Sequence, residues 1–441
     1  MPSLNPSTAP KIQALLDAAV AAGAIPGAIV RAVDARNTAL LSVASGTVTA
    51  APTDGDVEPK PHALADTDVV HLWSFCKLVA SVAVMQLVER GHIPGLDAAD
   101  VVAETLPELL EKRVLAGFDA ATGAPVVEGR RSEGFTVRQL MTHSNGTGIS
   151  IFDEGMLRYV AGLEGGLMGN FEVGPGFWET MKGFPLAGEP GVKWQYGVGQ
   201  DWATVLVERL SGQNMQDYCT EHIFKPLGMN SSCFDAHMPP ASSPNVFPSY
   251  TKLDPANPGR LTPDASLSHS GPPPSHPGPF FPASGHHRYI GGSGLASTAP
   301  DFCALLATLL AGGASPATGH RLLSPESAAL FFENQLPDGV AFEGRVPAVT
   351  PMTRDAVLEG AVGVTVAGAA VAGEKGPVVR GGRKGRRGGS TWWYGVKNSE
   401  WWADPEAGVA VVVISNFLPW LDEDWVKLVG EVEAAIYEGL E

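Results

Sequence analysis

The sequence predicts an α/β protein of the α+β kind: an antiparallel sheet flanked by N- and C-terminal helices, with a mainly helical domain inserted. Three observations predict it. Strand-like runs cluster at the two ends of the chain, helical periodicity fills the middle, and amphipathic helices stand near both termini. The ends are expected to build one sheet domain, residues 1–66 with 288–441, and residues 67–287 the helical insertion. At 441 residues the chain has ample length for two interlocking units.

Residues 10–22 place Ile12, Leu15, Leu16, Ala19 and Val20 at helical spacing and stop at Gly23. After the turn Ile25-Pro26-Gly27, residues 28–34 and 38–44 read as two strands joined at Arg36-Asn37. Residues 51–66, rich in Pro, Asp and Lys, read as loop. Strand-like residues 67–73 lead into Ser74-Phe75-Cys76-Lys77, and residues 78–90 are apolar nearly all round, which marks a buried central helix. Shorter helices follow at 107–114 and 136–142, the second with Thr136 as N-cap, and another at 201–212 with Gly212 as its stop. Residues 213–228 form a helix and turn. The Pro- and His-rich stretch 238–287 has little periodicity and reads as a lid, a wall of a binding site or a flexible segment. A glycine-rich turn at 289–300 caps a helix at 301–310, and residues 322–332 form one more. Residues 361–370, 391–396, 400–405 and 409–416 read as successive strands, with a hairpin turn at Asp404-Pro405-Glu406-Ala407-Gly408. The stripe Trp425, Leu428, Val429, Val432 and Ile436 makes residues 423–439 an amphipathic helix.

Composition excludes several classes. An apolar content of 44% indicates a soluble globular protein, and no apolar run is long enough to span a bilayer. With no basic and apolar leader at Met1, the expected location is cytoplasmic. A net charge of −17 argues against nucleic acid as a partner, since phosphates would be repelled. The basic run at 380–389 is short and framed by strand-like sequence, so it reads as a solvated loop. Cys76, Cys219, Cys233 and Cys303 are widely spaced and fit reduced thiols rather than a disulfide frame or a zinc site. No metal or other cofactor is implied: H-E-x-x-H is absent, and 289–300 does not satisfy G-x-G-x-x-G. His143 has no second histidine at ligand spacing and reads as a structural hydrogen-bonding residue.

The chemistry centres on Ser74 and Lys77. Three residues apart on a helix, they share a face with Cβ atoms about 5 to 6 Å apart. An amine whose pKa is lowered there can take the serine proton. G-x-S-x-G, the nucleophile turn of another hydrolase fold, is absent. Tyr196, in Trp194-Gln195-Tyr196-Gly197-Val198-Gly199 just ahead of a helix, is flanked by glycines that let the backbone bend toward a cleft.

Taken with Trp393-Tyr394-Gly395 on a C-terminal strand, this order of parts resembles the serine β-lactamase and penicillin-binding protein superfamily. Further landmarks resemble it in the same order: Ile25-Pro26-Gly27, Leu140-Met141-Thr142-His143, residues 291–300 and residues 402–408. The resemblance implies a β-lactamase/transpeptidase-like fold over nearly the whole chain. In detail it is closer to the esterase and transesterase relatives. Val198 stands where lactamases carry the asparagine of Y-x-N, and Trp393-Tyr394-Gly395 replaces K-T-G. Family VIII esterases carry a tryptophan-glycine version of that strand motif. Trp194-Gln195-Tyr196-Gly197, Asp201-Trp202-Ala203 and Leu206-Val207-Glu208-Arg209 look like the fungal transesterases of polyketide biosynthesis, the lovastatin side-chain acyltransferase group. Tyr394 departs from the small residue usual at its position.

The resemblance implies ping-pong acyl transfer. Ser74 would be acylated by an ester or thioester, Lys77 and Tyr196 would share the base role, and the backbone N–H groups of Ser74 and Val396 would form the oxyanion hole. Trp73, Trp194, Trp392, Trp393, Tyr394 and Gly395 are the expected substrate-binding residues, lining an aromatic pocket for a hydrophobic small molecule such as a secondary metabolite. The implied partners are the acyl donor, an alcohol acceptor in the case of transfer, and an acyl-carrier protein as a presenter of the donor. The alternatives are an amide hydrolase of β-lactamase or DD-peptidase type and a catalytically inactive ligand-binding homologue.

Overall fold

The computed structural model describes residues 2–49, 61–132, 134–162, 181–234, 245–264, 292–373 and 385–441. A seven-stranded antiparallel sheet joins the two ends of the chain. Its N-terminal strands are β1 (Ala28–Asp34) and β2 (Ala39–Ser45), and its C-terminal strands are β3 (Ala361–Val364), β4 (Ala370–Ala372), β5 (Thr391–Gly395), β6 (Ser399–Asp404) and β7 (Val409–Ile414). The strand order is β3-β4-β5-β6-β7-β1-β2, so the join between the chain ends is the β7–β1 pair, with Ile29 opposite Ile414 and Val33 opposite Ala410. Alternate side chains of a strand point to opposite faces. On β6, Trp401 meets Phe302 of helix α5 (Ala299–Leu310), and Trp402 meets Arg386, which binds Glu433 of helix α6 (Glu423–Gly439). Helices thus cover both faces, which is why β6 and β7 are buried at every position. Helix α1 (Thr8–Ala21) packs on α6 and β2.

Beside the sheet lies α2 (Cys76–Glu89), buried from Cys76 through Leu87. It packs on α4 (Gly199–Ser211), and α4 packs on α3 (Val137–Met141). Phe75 joins α2 to the sheet layer through Phe302, with ring centroids 4.8 Å apart. Local signals act as their chemistry predicts. Thr136 and Gln139 form a capping box on α3, and α4 stops at Gly212 with φ 72°. No helix is long and apolar enough to cross a membrane among the described residues.

Several expectations need correction. Residues 361–370 are not one strand, because Gly368 takes φ 66° and folds the run into the β3–β4 hairpin. Helix 322–332 shrinks to Pro325–Ala329 behind the Ser324 cap, and helix 107–114 to Pro107–Leu110, after which Val114–Phe118 pairs with Pro125–Glu128. Of the stretch 238–287, only residues 245–264 are described, and they hold a hairpin, Tyr250–Thr251 with Thr262–Pro263, attached to Phe417–Leu418. The basic run 380–389 is described from residue 385. There Arg386 is buried between Trp392 and Trp402 and ion-paired with Glu433 and Glu400, so its charge is matched by the core rather than by solvent.

Candidate active site

The strand Val70–Trp73 pairs with Leu295–Ser297 and ends at Trp73, whose φ of 51° is unusual for a bulky residue. This bend lifts Ser74 to the N-terminus of α2, where the aligned peptide dipoles favour negative charge. Ser74 is half-buried, whereas Lys77 and Tyr196 are buried. The three close on one another. Lys77 Nζ donates to Ser74 Oγ at 2.9 Å, and Ser74 Oγ lies 2.7 Å from the Tyr196 hydroxyl. Lys77 Nζ also donates to the Gly292 carbonyl at 2.5 Å.

The other main-chain polar group of Gly292 leads to Asp201, whose carboxylate accepts the Gly292 N–H at 3.0 Å. A Cβ on residue 292 would sit 2.5 Å from the Asp201 oxygens, so only glycine fits. Burial pushes the Asp201 carboxyl up to about 6, with Lys77 and the Gly292 N–H opposing. Burial also pushes the Cys76 thiol up to about 12, which leaves it neutral beside Lys77. For Lys77 burial works against charge, but Tyr196, Cys76 and Asp201 together outweigh it and hold the ammonium above its ordinary range. The shift thus runs opposite to the lowered amine pKa that the Ser74–Lys77 spacing suggests.

The strand carrying Trp393-Tyr394-Gly395 runs beside the chain entering Ser74. A Cβ on residue 395 would meet the Leu72 carbonyl at 2.8 Å and Ser399 Oγ at 2.2 Å. Glycine here lets the main chain leading to Val396 approach the main chain leading to Ser74. Five rings close a loop at the site. Tyr196 meets Phe152 at 5.4 Å, Phe152 meets Trp420 at 5.3 Å, and Trp420 meets Tyr394 at 5.8 Å. Tyr394 then meets Trp393 at 5.9 Å, and Trp393 returns to Tyr196 at 5.2 Å.

The other expected tryptophans make further contacts. Trp194 packs on Phe342, Trp392 lies under Arg386, and Trp73 stacks on His71 and under the Lys397 ammonium. Lys397 is itself buried, bonded to Asp264 at 3.0 Å and to Ser249, and its pKa is lowered by burial against the pull of Asp264. Sequence reasoning missed Asp201, Phe152 and Trp420 as site residues. An acidic residue in the first turn of a largely apolar helix was a usable signal for Asp201. Phe152 and Trp420 come from separate loops, with nothing local to mark them.

The family model described as Beta-lactamase matches residues 12–429. The chain belongs to the beta-lactamase family. This beta-lactamase family member is 30% identical to a lovastatin esterase of Penicillium rubens over 336 residues, covering 76% of this chain and 75% of the relative. It is 28% identical to the monacolin J acid methylbutanoyltransferase of Aspergillus terreus over 380 residues, covering 83% and 81%. Its structure superposes on a mutant of the simvastatin synthase LovD from Aspergillus terreus with a TM-score of 0.75 at 26% identity, covering 98% and 95% of the two chains. The fold is therefore the β-lactamase/transpeptidase-like one. It is carried here without a K-T-G lysine or a Y-x-N asparagine.

Proposed function

We propose that the protein transfers acyl groups from a carboxylic ester or thioester through an acyl-Ser74 intermediate, as an esterase or acyltransferase acting on a hydrophobic small molecule. The observation that carries this reading is the position of Ser74 Oγ, 2.9 Å from an ammonium and 2.7 Å from a phenol. Esterase and acyltransferase relatives over most of the chain support it.

In this reading the Tyr196 side chain enters the step as a phenolate paired with the Lys77 ammonium: Ser74 Oγ attacks the carbonyl while its proton passes to the phenolate oxygen, and the phenol so formed hands that proton to the departing oxygen or sulfur. Lys77 stays charged and offsets the negative charge shared by the two oxygens. The backbone N–H groups of Ser74 and Val396 receive the oxyanion. In the second half-reaction water or an alcohol gives its proton to the Tyr196 phenolate and attacks the acyl carbonyl, and as the bond to Ser74 breaks Tyr196 returns that proton to Oγ. The aromatic loop supplies an apolar wall for a bulky donor or acceptor. A free soluble ester and one presented by a carrier protein both fit this chemistry.

Incubation with p-nitrophenyl butyrate tests the reading. Intact mass should rise by one butyryl group, and the increase should vanish in Ser74→Ala. Absence of both adduct and hydrolysis overturns the proposal. Added alcohols that yield ester product at the expense of acid mark a transferase, and turnover of a chromogenic cephalosporin would favour the amide-hydrolase alternative.

A further inference from the structure

We propose that His143 is a positioning residue for Tyr196, acting as a neutral Nε2–H imidazole that clasps the tyrosine from both sides of the chain. It rests on the reading of Tyr196 as the proton relay. Three contacts converge on the tyrosine. The His143 carbonyl accepts the N–H of Gln195 at 2.8 Å, and its Nδ1 accepts the N–H of Gly197 at 3.4 Å. Its ring meets the Tyr196 ring edge-on at 4.7 Å. The residues before and after Tyr196 and the phenol itself are thus held by one side chain and its own carbonyl.

The local structure is built around this arrangement. His143 is fully buried and sits at φ 56°, a left-handed conformation that a β-carbon disfavours and that lies at the end of α3. Gly368, at φ 66°, faces the ring so closely that a Cβ there would be 2.7 Å from Nε2. Gly197 likewise has a neighbour, the Thr147 carbonyl, 2.2 Å from any Cβ it would carry. An Nδ1 that accepts must leave the ring proton on Nε2. The charged group that bears on the ring among the described residues is Lys77 of α2, and burial together with that charge disfavours protonation of the imidazole. A protonated ring would set N–H against N–H at Gly197.

Two variants separate clasping from plain filling. His143→Phe keeps the ring and removes the acceptor. His143→Asn replaces Nδ1 with an amide oxygen and tolerates left-handed φ. The Phe variant should lose about tenfold to a hundredfold in the rate of Ser74 acylation by p-nitrophenyl butyrate with KM little changed, and the Asn variant should recover most of it. Equal acylation by wild type and Phe variant, or a loss confined to KM, overturns the clasp. A wild type that takes no acyl group instead sinks the functional reading beneath it. Should the variants not fold, histidine nitrogen NMR of the wild type decides at neutral pH. A buried imidazole protonated on Nε2 with Nδ1 as acceptor is expected, and its absence overturns the proposal.

Discussion

Asp201→Asn separates charge from geometry at the centre of the site. The Asn side-chain oxygen still accepts the Gly292 N–H, so the residue whose carbonyl takes the Lys77 contact keeps its place, but the negative charge behind Lys77 is gone. A charge-assisted hydrogen bond is worth about 1.5 to 3 kcal/mol, which is roughly a tenfold to hundredfold fall in kcat/KM if the ammonium is needed during attack. The pH dependence supplies a second readout. Because the carboxyl is pushed up to about 6, wild type should lose activity as pH falls through that value, whereas the Asn variant lacks this limb. The ratio of wild type to variant should therefore climb from near one at about pH 5 to its plateau above about pH 7. Initial rates of p-nitrophenyl butyrate hydrolysis across that range measure it.

The same shift has a stability counterpart. A carboxyl raised from 3.8 to about 6 favours the fold only while protonated, a contribution of about 3 kcal/mol that is full below the lower value and lost as pH rises through the upper one. Urea unfolding should thus show Asp201→Asn gaining on wild type by about that amount between about pH 4 and about pH 7. A variant that keeps the acid limb near pH 6, or tracks wild-type stability across the window, would refute the assignment.

Other perturbations test other parts. Gly395→Ala drives a methyl into the Leu72 carbonyl, and a fall of about tenfold or more in kcat with a modest loss of stability is expected from steady-state kinetics and thermal melts. Trp420→Ala opens the aromatic loop, so KM for bulky aromatic esters should rise while that for acetyl esters changes little; equal effects on both would disconnect the loop from substrate. Arg386→Met removes the cation buried against Glu433 and Glu400 and should cost about 3 to 5 kcal/mol in urea unfolding, with activity per folded molecule unchanged.

Residue order alone sets the local parts of this protein. Ser74 and Lys77 share a helix face because three residues separate them, and the α3 capping box and the Gly212 stop follow from chemistry within one turn. The apolar surround of residues 78–87 required a buried helix, and the absence of K-T-G was visible by reading. What reached across the chain was not legible. Lys77 and Tyr196 were expected to share the base role with the proton's holder left open; burial opposes charge on Lys77, while Tyr196 and Asp201, brought to it by the α2–α4 contact, favour it. Phe152 and Trp420 are ordinary aromatics in sequence and close a loop with Tyr196, Trp393 and Tyr394 only when separate segments converge. His143 reads in sequence as a structural hydrogen-bonding residue, and only the fold shows that its carbonyl and Nδ1 take the N–H groups on either side of Tyr196. Side-chain spacing along a helix is a local property of the backbone, whereas protonation and the closure of a pocket depend on which distant charges and rings the tertiary fold sets within a few ångströms.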